Sequence, residues 1–190
     1  MFNFIVTRYY DNEHFSDVDP GSWYSAAVET VYRRGLMKGT EDFLFSPQGV
    51  FTLAETVTIA ARMQNIYHFE QAQLDDSGSP WYRSYVDYAL THGILQQELE
   101  NYTRPATRAE FATLLCAALP EDAFSPIQND ITFFDVSTGS HAYPSIMILA
   151  QAGILGGREE GKFEPDATIT RAEVAAVLAR IVKPSLRLSA

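Results

Sequence analysis

A guanidinium placed where a helix begins is unusual chemistry, and this chain places two of them at the same phase. Arg171 lies in Thr170-Arg171-Ala172-Glu173 and Arg108 in Thr107-Arg108-Ala109-Glu110, while a third copy, Thr52-Leu53-Ala54-Glu55, carries leucine there. Threonine followed three residues later by glutamate, just ahead of an apolar stripe, is a capping box. The hydroxyl accepts from an early helical amide and the carboxylate reaches back to the threonine N–H. Capping accounts for the threonines and glutamates but not for the arginines. A cation in the first turn faces the positive pole of the helix dipole, which disfavours it by some tenths to about 1 kcal/mol. Free first-turn amides and a forked guanidinium would together form a receptor for a carboxylate or phosphate. The plainer alternative is a solvated surface arginine; recurrence at one phase favours the receptor.

Those arginines must be positioned by helices, and the pattern predicts them. Behind each capping box an apolar stripe runs at helical spacing: Val174, Val177, Leu178, Ile181; Phe111, Leu114, Leu115, Ala118; Thr56, Ile59, Ala60, Met63. Upstream, Asp17, Asp75 and Asp135 precede Trp23, Trp81 and His141 by one common interval, and each ring precedes Gly35, Gly93 or Gly153 by another. Small or apolar residues recur between ring and glycine (Ala27, Val28, Val31; Tyr85, Val86, Ala89; Ser145, Ile146, Leu149), the buried side of a short helix ended by its glycine. Pro120 and Pro184 stop the last two second helices. The chain therefore reads as all-α, a helix-loop-helix unit repeated three times at a period of roughly 58 to 60 residues. One such hairpin buries too little alone, so the three should share a core.

Composition narrows the class. The chain has 190 residues, a formal net charge of −10, twelve Phe and ten Tyr. That is enough apolar material for a substantial core in one compact domain. The negative charge argues against nucleic acid and against general attraction to anionic surfaces, so an anionic ligand would need locally placed arginines. No apolar run is long enough to span a bilayer, which argues against membrane insertion. The single cysteine, Cys116, excludes internal disulfides and reads as a small core residue. The first residues lack the pattern of a secretory signal, consistent with an internal protein or with a signal removed from this version. His14, His68, His92 and His141 show no metal-ligand spacing, and no cofactor is implied.

Phe15-Ser16-Asp17-Val18, Trp23, Gly35-Leu36-Met37-Lys38-Gly39 and Phe45-Ser46-Pro47 resemble the start of a surface-layer homology (SLH) repeat. Phe133-Phe134-Asp135-Val136, Gly153-Ile154-Leu155-Gly156-Gly157, Phe163-Glu164-Pro165 and Ile169-Thr170-Arg171-Ala172-Glu173 resemble it nearly throughout. The resemblance assigns three tandem repeats to residues 14–64, 72–119 and 131–183. It implies a pseudo-threefold bundle with grooves between repeats, anchored to bacterial secondary cell-wall polysaccharide through pyruvylated N-acetylmannosamine. It also implies a cell-surface location, S-layer proteins as further partners, and contact between the motif arginines, Arg171 and Arg108, and the acidic sugar.

The departures are specific. Repeat one has Leu53 where the arginine belongs. Repeat two has Leu74-Asp75-Asp76 in place of the full start, Gln97 in place of the loop glycine, and a shortened loop before Thr107 with Arg104 nearby. Repeat three has His141 in the tryptophan register, with Tyr143 close by. Pairing each arginine with its own repeat's loop ranks Arg171 before Arg108 and leaves repeat one inactive. Trp23 and Trp81 could stack on a sugar face, but at the start of a buried helix the core reading comes first. Asp17, Asp75 and Asp135 read as caps of the first helix or its preceding turn. Gly39 and Gly157 permit close approach of a ligand, and a left-handed turn explains them equally well. No phosphate loop, serine elbow or zinc signature appears. The expectation is a binding module rather than an enzyme, with a structural or protein-interaction module on the same fold as the alternative.

Overall fold

The computed structural model describes residues 8–11, 14–69, 74, 79–159 and 161–189. Six α-helices carry the fold: α1 (Ser25–Arg33), α2 (Leu53–Phe69), α3 (Arg83–Thr91), α4 (Arg108–Ala118), α5 (Tyr143–Gln151) and α6 (Arg171–Val182). Among the described residues there is no strand, only isolated bridges. No helix among them is long and apolar enough to cross a membrane. Every residue of the three second-helix stripes is buried, and so are the first-helix positions except Ser145, which is half-exposed. Gly35, Gly93 and Gly153 end α1, α3 and α5 with φ of 68°, 75° and 67°, the left-handed region that glycine enters without penalty.

The helices close into a ring. Each second helix packs on the first helix of the following unit, α2 on α3, α4 on α5 and α6 back on α1, and α2 also meets α4. The last unit therefore docks on the first. On the axis, the residues just before the capping threonines bind one another in a cycle. The Phe51 amide donates to Ile169 O at 3.0 Å, Ile169 to Ala106 O at 3.1 Å, and Ala106 to Phe51 O at 2.9 Å. All three side chains are buried. Three segments far apart in sequence thus satisfy each other's backbone at the centre, where unpaired groups would be costly.

All three capping boxes form. The Glu55, Glu110 and Glu173 amides donate to the hydroxyls of Thr52, Thr107 and Thr170, and the threonine amides donate back to the glutamate carboxylates. The Glu110 carboxyl is held below its usual range, chiefly by the Arg104 guanidinium, against the opposing effect of burial. For Glu173 burial is the largest influence and acts upward, yet Arg158 and the Thr170 amide outweigh it and the net shift is downward. Groups with depressed folded values stabilise the fold above the unfolded carboxylate range, about 4.3 for glutamate. That stability is lost as pH falls through the folded values. Helical circular dichroism should therefore be flat from neutrality to about pH 5 and decline below about pH 4; an unchanged signal at pH 2 would contradict this.

Candidate functional site

The first-turn amides do not wait for an anion. Arg171 N donates to Gly49 O at 2.9 Å and Ala172 N to Pro47 O at 2.9 Å. Arg108 and Ala109 donate in the same way to Ala167 O and Pro165 O, and Leu53 and Ala54 to Arg104 O and Tyr102 O. The expected amide receptor is therefore already filled, because each helix start is sewn to the loop of the next unit around the ring.

The guanidiniums follow the same route. Arg108 is only 2% exposed. Its Nε donates to Phe163 O at 2.9 Å, Nη2 to Gly156 O at 2.8 Å, and Nη1 to Glu173 Oε1 at 2.8 Å. Arg171, 7% exposed, donates to Phe45 O at 2.9 Å, to Lys38 O at 2.8 Å and more loosely to Glu55 Oε1 at 3.4 Å. Each cation also lies over the phenylalanine ring of the loop it binds, 4.5 Å from Phe163 and 4.9 Å from Phe45. Three of the five guanidinium N–H donors are engaged in each case. Burial pushes both arginines below their ordinary values, with Glu173 and Glu55 the largest opposing influences. An arginine stays charged in a protein, so these are desolvated cations only partly compensated from within.

Beside each one a cavity remains. The first, of about 560 Å³, is lined by Arg171, Gly39, Trp81, Lys38, Glu55 and Arg62 among others. The second, of about 310 Å³, is lined by Arg108, Gly157, Trp23, Arg158, Glu173 and Arg180 among others. All six expected site residues thus fall into two matched sets of three. Every set draws on three units: loop and second helix from one, arginine from the unit before, tryptophan from the unit after.

This wiring corrects several expectations. Trp23 and Trp81 are not core: they are 63% and 50% exposed, and each stands at a cavity. Asp17 and Asp135 do not cap the first helix. Asp17 accepts from the amides of Phe45 and Ser46 at 2.8 and 2.6 Å, and Asp135 from Phe163 and Glu164 at 2.8 and 2.7 Å. They pin the loop whose carbonyls grip the arginine, while Asp75 lies outside the described residues. Gly39 and Gly157 are not left-handed. A Cβ on Gly39 would stand 2.5 Å from Leu44 O, and one on Gly157 2.5 Å from Lys162 O. Their own tight loops demand glycine, with no ligand needed to explain it.

The pairing of each arginine with its own repeat's loop is corrected too: Arg171 serves the loop of unit one and Arg108 that of unit three. Leu53 docks on the loop of unit two, through its amide to Arg104 O at 2.9 Å. That is the unit with Gln97 in the glycine position, and the unit after it, whose α5 packs on α4, has His141 in the tryptophan register. None of Leu53, Gln97 and His141 lines either cavity, so the departures leave both cavities with their arginine, glycine and tryptophan. At that third junction Glu110 is held by Arg104 of its own unit, so no cross-unit cation is required.

Sequence reasoning missed Arg62 and Arg180. Both stand nine residues after the motif position, and the same register in unit two is Ala117. Arg62 donates to Leu36 O at 3.1 Å and Arg180 to Ile154 O at 3.0 Å, so each secures the turn after a first helix while lining a cavity. Their shared phase was a readable signal. Arg158 was missed too; it clamps Glu173 and Glu164 at the edge of the second cavity. Cys116 is partly buried, and burial pushes its thiol up to about 12, so it offers no thiolate at neutral pH.

A family model described as the S-layer homology domain matches residues 14–57 and 133–175. The S-layer protein of Bacillus thuringiensis subsp. finitimus is 25% identical over 173 residues, covering 89% of this chain and 21% of that protein. The S-layer protein sap of Bacillus anthracis gives the same identity and coverage. The exoglucanase XynX of Acetivibrio thermocellus is 34% identical over 119 residues, 57% of this chain and 11% of that enzyme. The chain spans about a fifth or less of the length of these relatives.

Proposed function

We propose, from the premise that this chain belongs to the S-layer homology domain family, that it anchors a protein at the bacterial cell surface. On this reading the middle unit, residues 72–119, is a third and diverged repeat. The ligand is cell-wall polysaccharide, held through a pyruvylated N-acetylmannosamine in two of the three grooves. One observation supports this above the others. Each complete groove sets a desolvated guanidinium against an exposed indole from another unit, on a protein whose net charge is −10. The indole offers a flat face for the apolar side of a pyranose, and the guanidinium N–H groups not used internally suit the ketal carboxylate. No catalytic role is needed, since Glu173 is committed to its capping box and two arginines and stays ionised. Proteins of the S-layer are further partners on this reading.

A second reading, a scaffold or protein-interaction module without glycan binding, draws on the internal carboxylates that both arginines already face. Sedimentation with purified sacculi separates the two. Removing the pyruvate ketal from the wall should weaken retention at least tenfold, the loss expected when a charged hydrogen-bond partner disappears. Retention that is indifferent to pyruvate would favour the scaffold.

A further inference from the structure

The two complete grooves are not copies of one another. The first is larger, about 560 Å³ against 310 Å³. It also contains a cation that the repeat pattern does not supply: Arg8, from the segment ahead of residues 14–57, lines it. The Arg8 amide donates to Arg33 O at 3.0 Å and its guanidinium lies 5.5 Å from the Tyr32 ring centre. Among the described residues no carboxylate pairs with it. The second groove has instead Leu188 from the other end of the chain, an apolar wall.

A second difference lies on the helix floor. Thr58 of α2 lines the first cavity, and the same register on α6 is Ala176, which lines the second. Helical threonines commonly return their hydroxyl to the carbonyl four residues back. Thr113, at this register in unit two, does so toward Ala109 O at 2.9 Å. The Thr58 hydroxyl does not; it is buried and has no partner among the described residues. A buried hydroxyl without a partner is disfavoured unless something else meets it, and here it borders a cavity.

We infer that the first groove takes a doubly anionic stretch of glycan, the second anion meeting Arg8 and a sugar hydroxyl or amide meeting Thr58. The second groove takes the singly charged sugar alone. The inference rests on the glycan reading above and specifies the ligand of one groove. An anion next to the ketal sugar could be a phosphodiester or a uronic acid, and Arg8 suits either.

Titration calorimetry in a Trp23→Ala background, which disables the second groove, tests this with three synthetic ligands. One is the methyl glycoside of pyruvyl-ketal N-acetylmannosamine. The others carry in addition an anomeric methyl phosphodiester or a linked glucuronic acid. At least one doubly charged ligand should bind roughly tenfold tighter than the first, the gain of one charge-assisted hydrogen bond. Which one gains identifies the second anion. Arg8→Gln should erase that gain while leaving the singly charged ligand unchanged, and Arg8→Lys should retain part of it. Thr58→Val should weaken all three ligands roughly three- to tenfold. Equal affinities for all three, or an equal loss in Arg8→Gln for singly and doubly charged ligands, would overturn the assignment of Arg8. An unaltered Thr58→Val would remove the hydroxyl from the site. No binding of any ligand to the unsubstituted protein would instead overturn the glycan reading beneath it.

Discussion

Arg108→Ala is expected to destabilise the fold by about 2–5 kcal/mol, the range for emptying a large buried side chain's place and breaking its hydrogen bonds, although Glu173 keeps Arg158 as a partner. The guanidinium is 2% exposed and ties unit two to unit three through Phe163 O, Gly156 O and Glu173. Its loss strands the buried Phe163 carbonyl and the partly buried Gly156 carbonyl, and opens a void against the Phe163 ring. Arg171→Ala should cost less, because its carboxylate partner stands at 3.4 Å rather than 2.8 Å. Arg108→Lys should recover only part of the loss, since an ammonium cannot fork toward three divergent acceptors. Urea unfolding followed by circular dichroism provides the measurement; a midpoint for Arg108→Ala within error of the unsubstituted protein would show that the arginine does not join the units. Loss of wall binding by either alanine variant thus reports stability as well as recognition, so the arginines are poor probes of the site.

The tryptophans are better probes. Trp23→Ala and Trp81→Ala should each leave stability within about 0.5 kcal/mol, as is usual for exposed positions. Each should weaken glycan binding at its own groove by at least tenfold, since truncating a central tryptophan typically removes 2 kcal/mol or more. A wall presents many ligands, so one surviving groove keeps part of the retention, and the double variant loses the combined contribution, about a hundredfold or more. His141→Ala should change nothing, because His141 lines neither cavity. Sacculus binding isotherms across these four variants would measure the pattern. Full retention by the double variant would remove the indoles from the site and the two-groove proposal with them.

Much of the architecture was legible along the chain. Capping boxes, terminal glycines and apolar stripes are local: each needs only a few residues at helical spacing, and the structure forms every one that falls on described residues. The chemistry of the motif arginines was half legible. Their position at a helix start marked them as cations needing an acceptor, but sequence could not show that the first acceptors are carbonyls and a carboxylate of the neighbouring unit. For Trp23 and Trp81 the sequence leaves both a sugar-stacking and a core reading, with the core first because a ring at a helix start usually faces inward. Only the docking of α6 on α1 and of α2 on α3 turns them to the edge of a cavity.

Sequence alone determined the unit, its repetition and the residues at which it departs from its pattern, because these depend on contacts within a few helical turns. Tertiary structure alone decided how the departures combine. Closing three units into a ring gives each groove a loop from one unit, an arginine from the one before and a ring from the one after. Leu53, Gln97 and His141, spread across the chain, therefore stay out of both cavities. A linear reading pairs residues with their own repeat, whereas the closed ring pairs them with their neighbours.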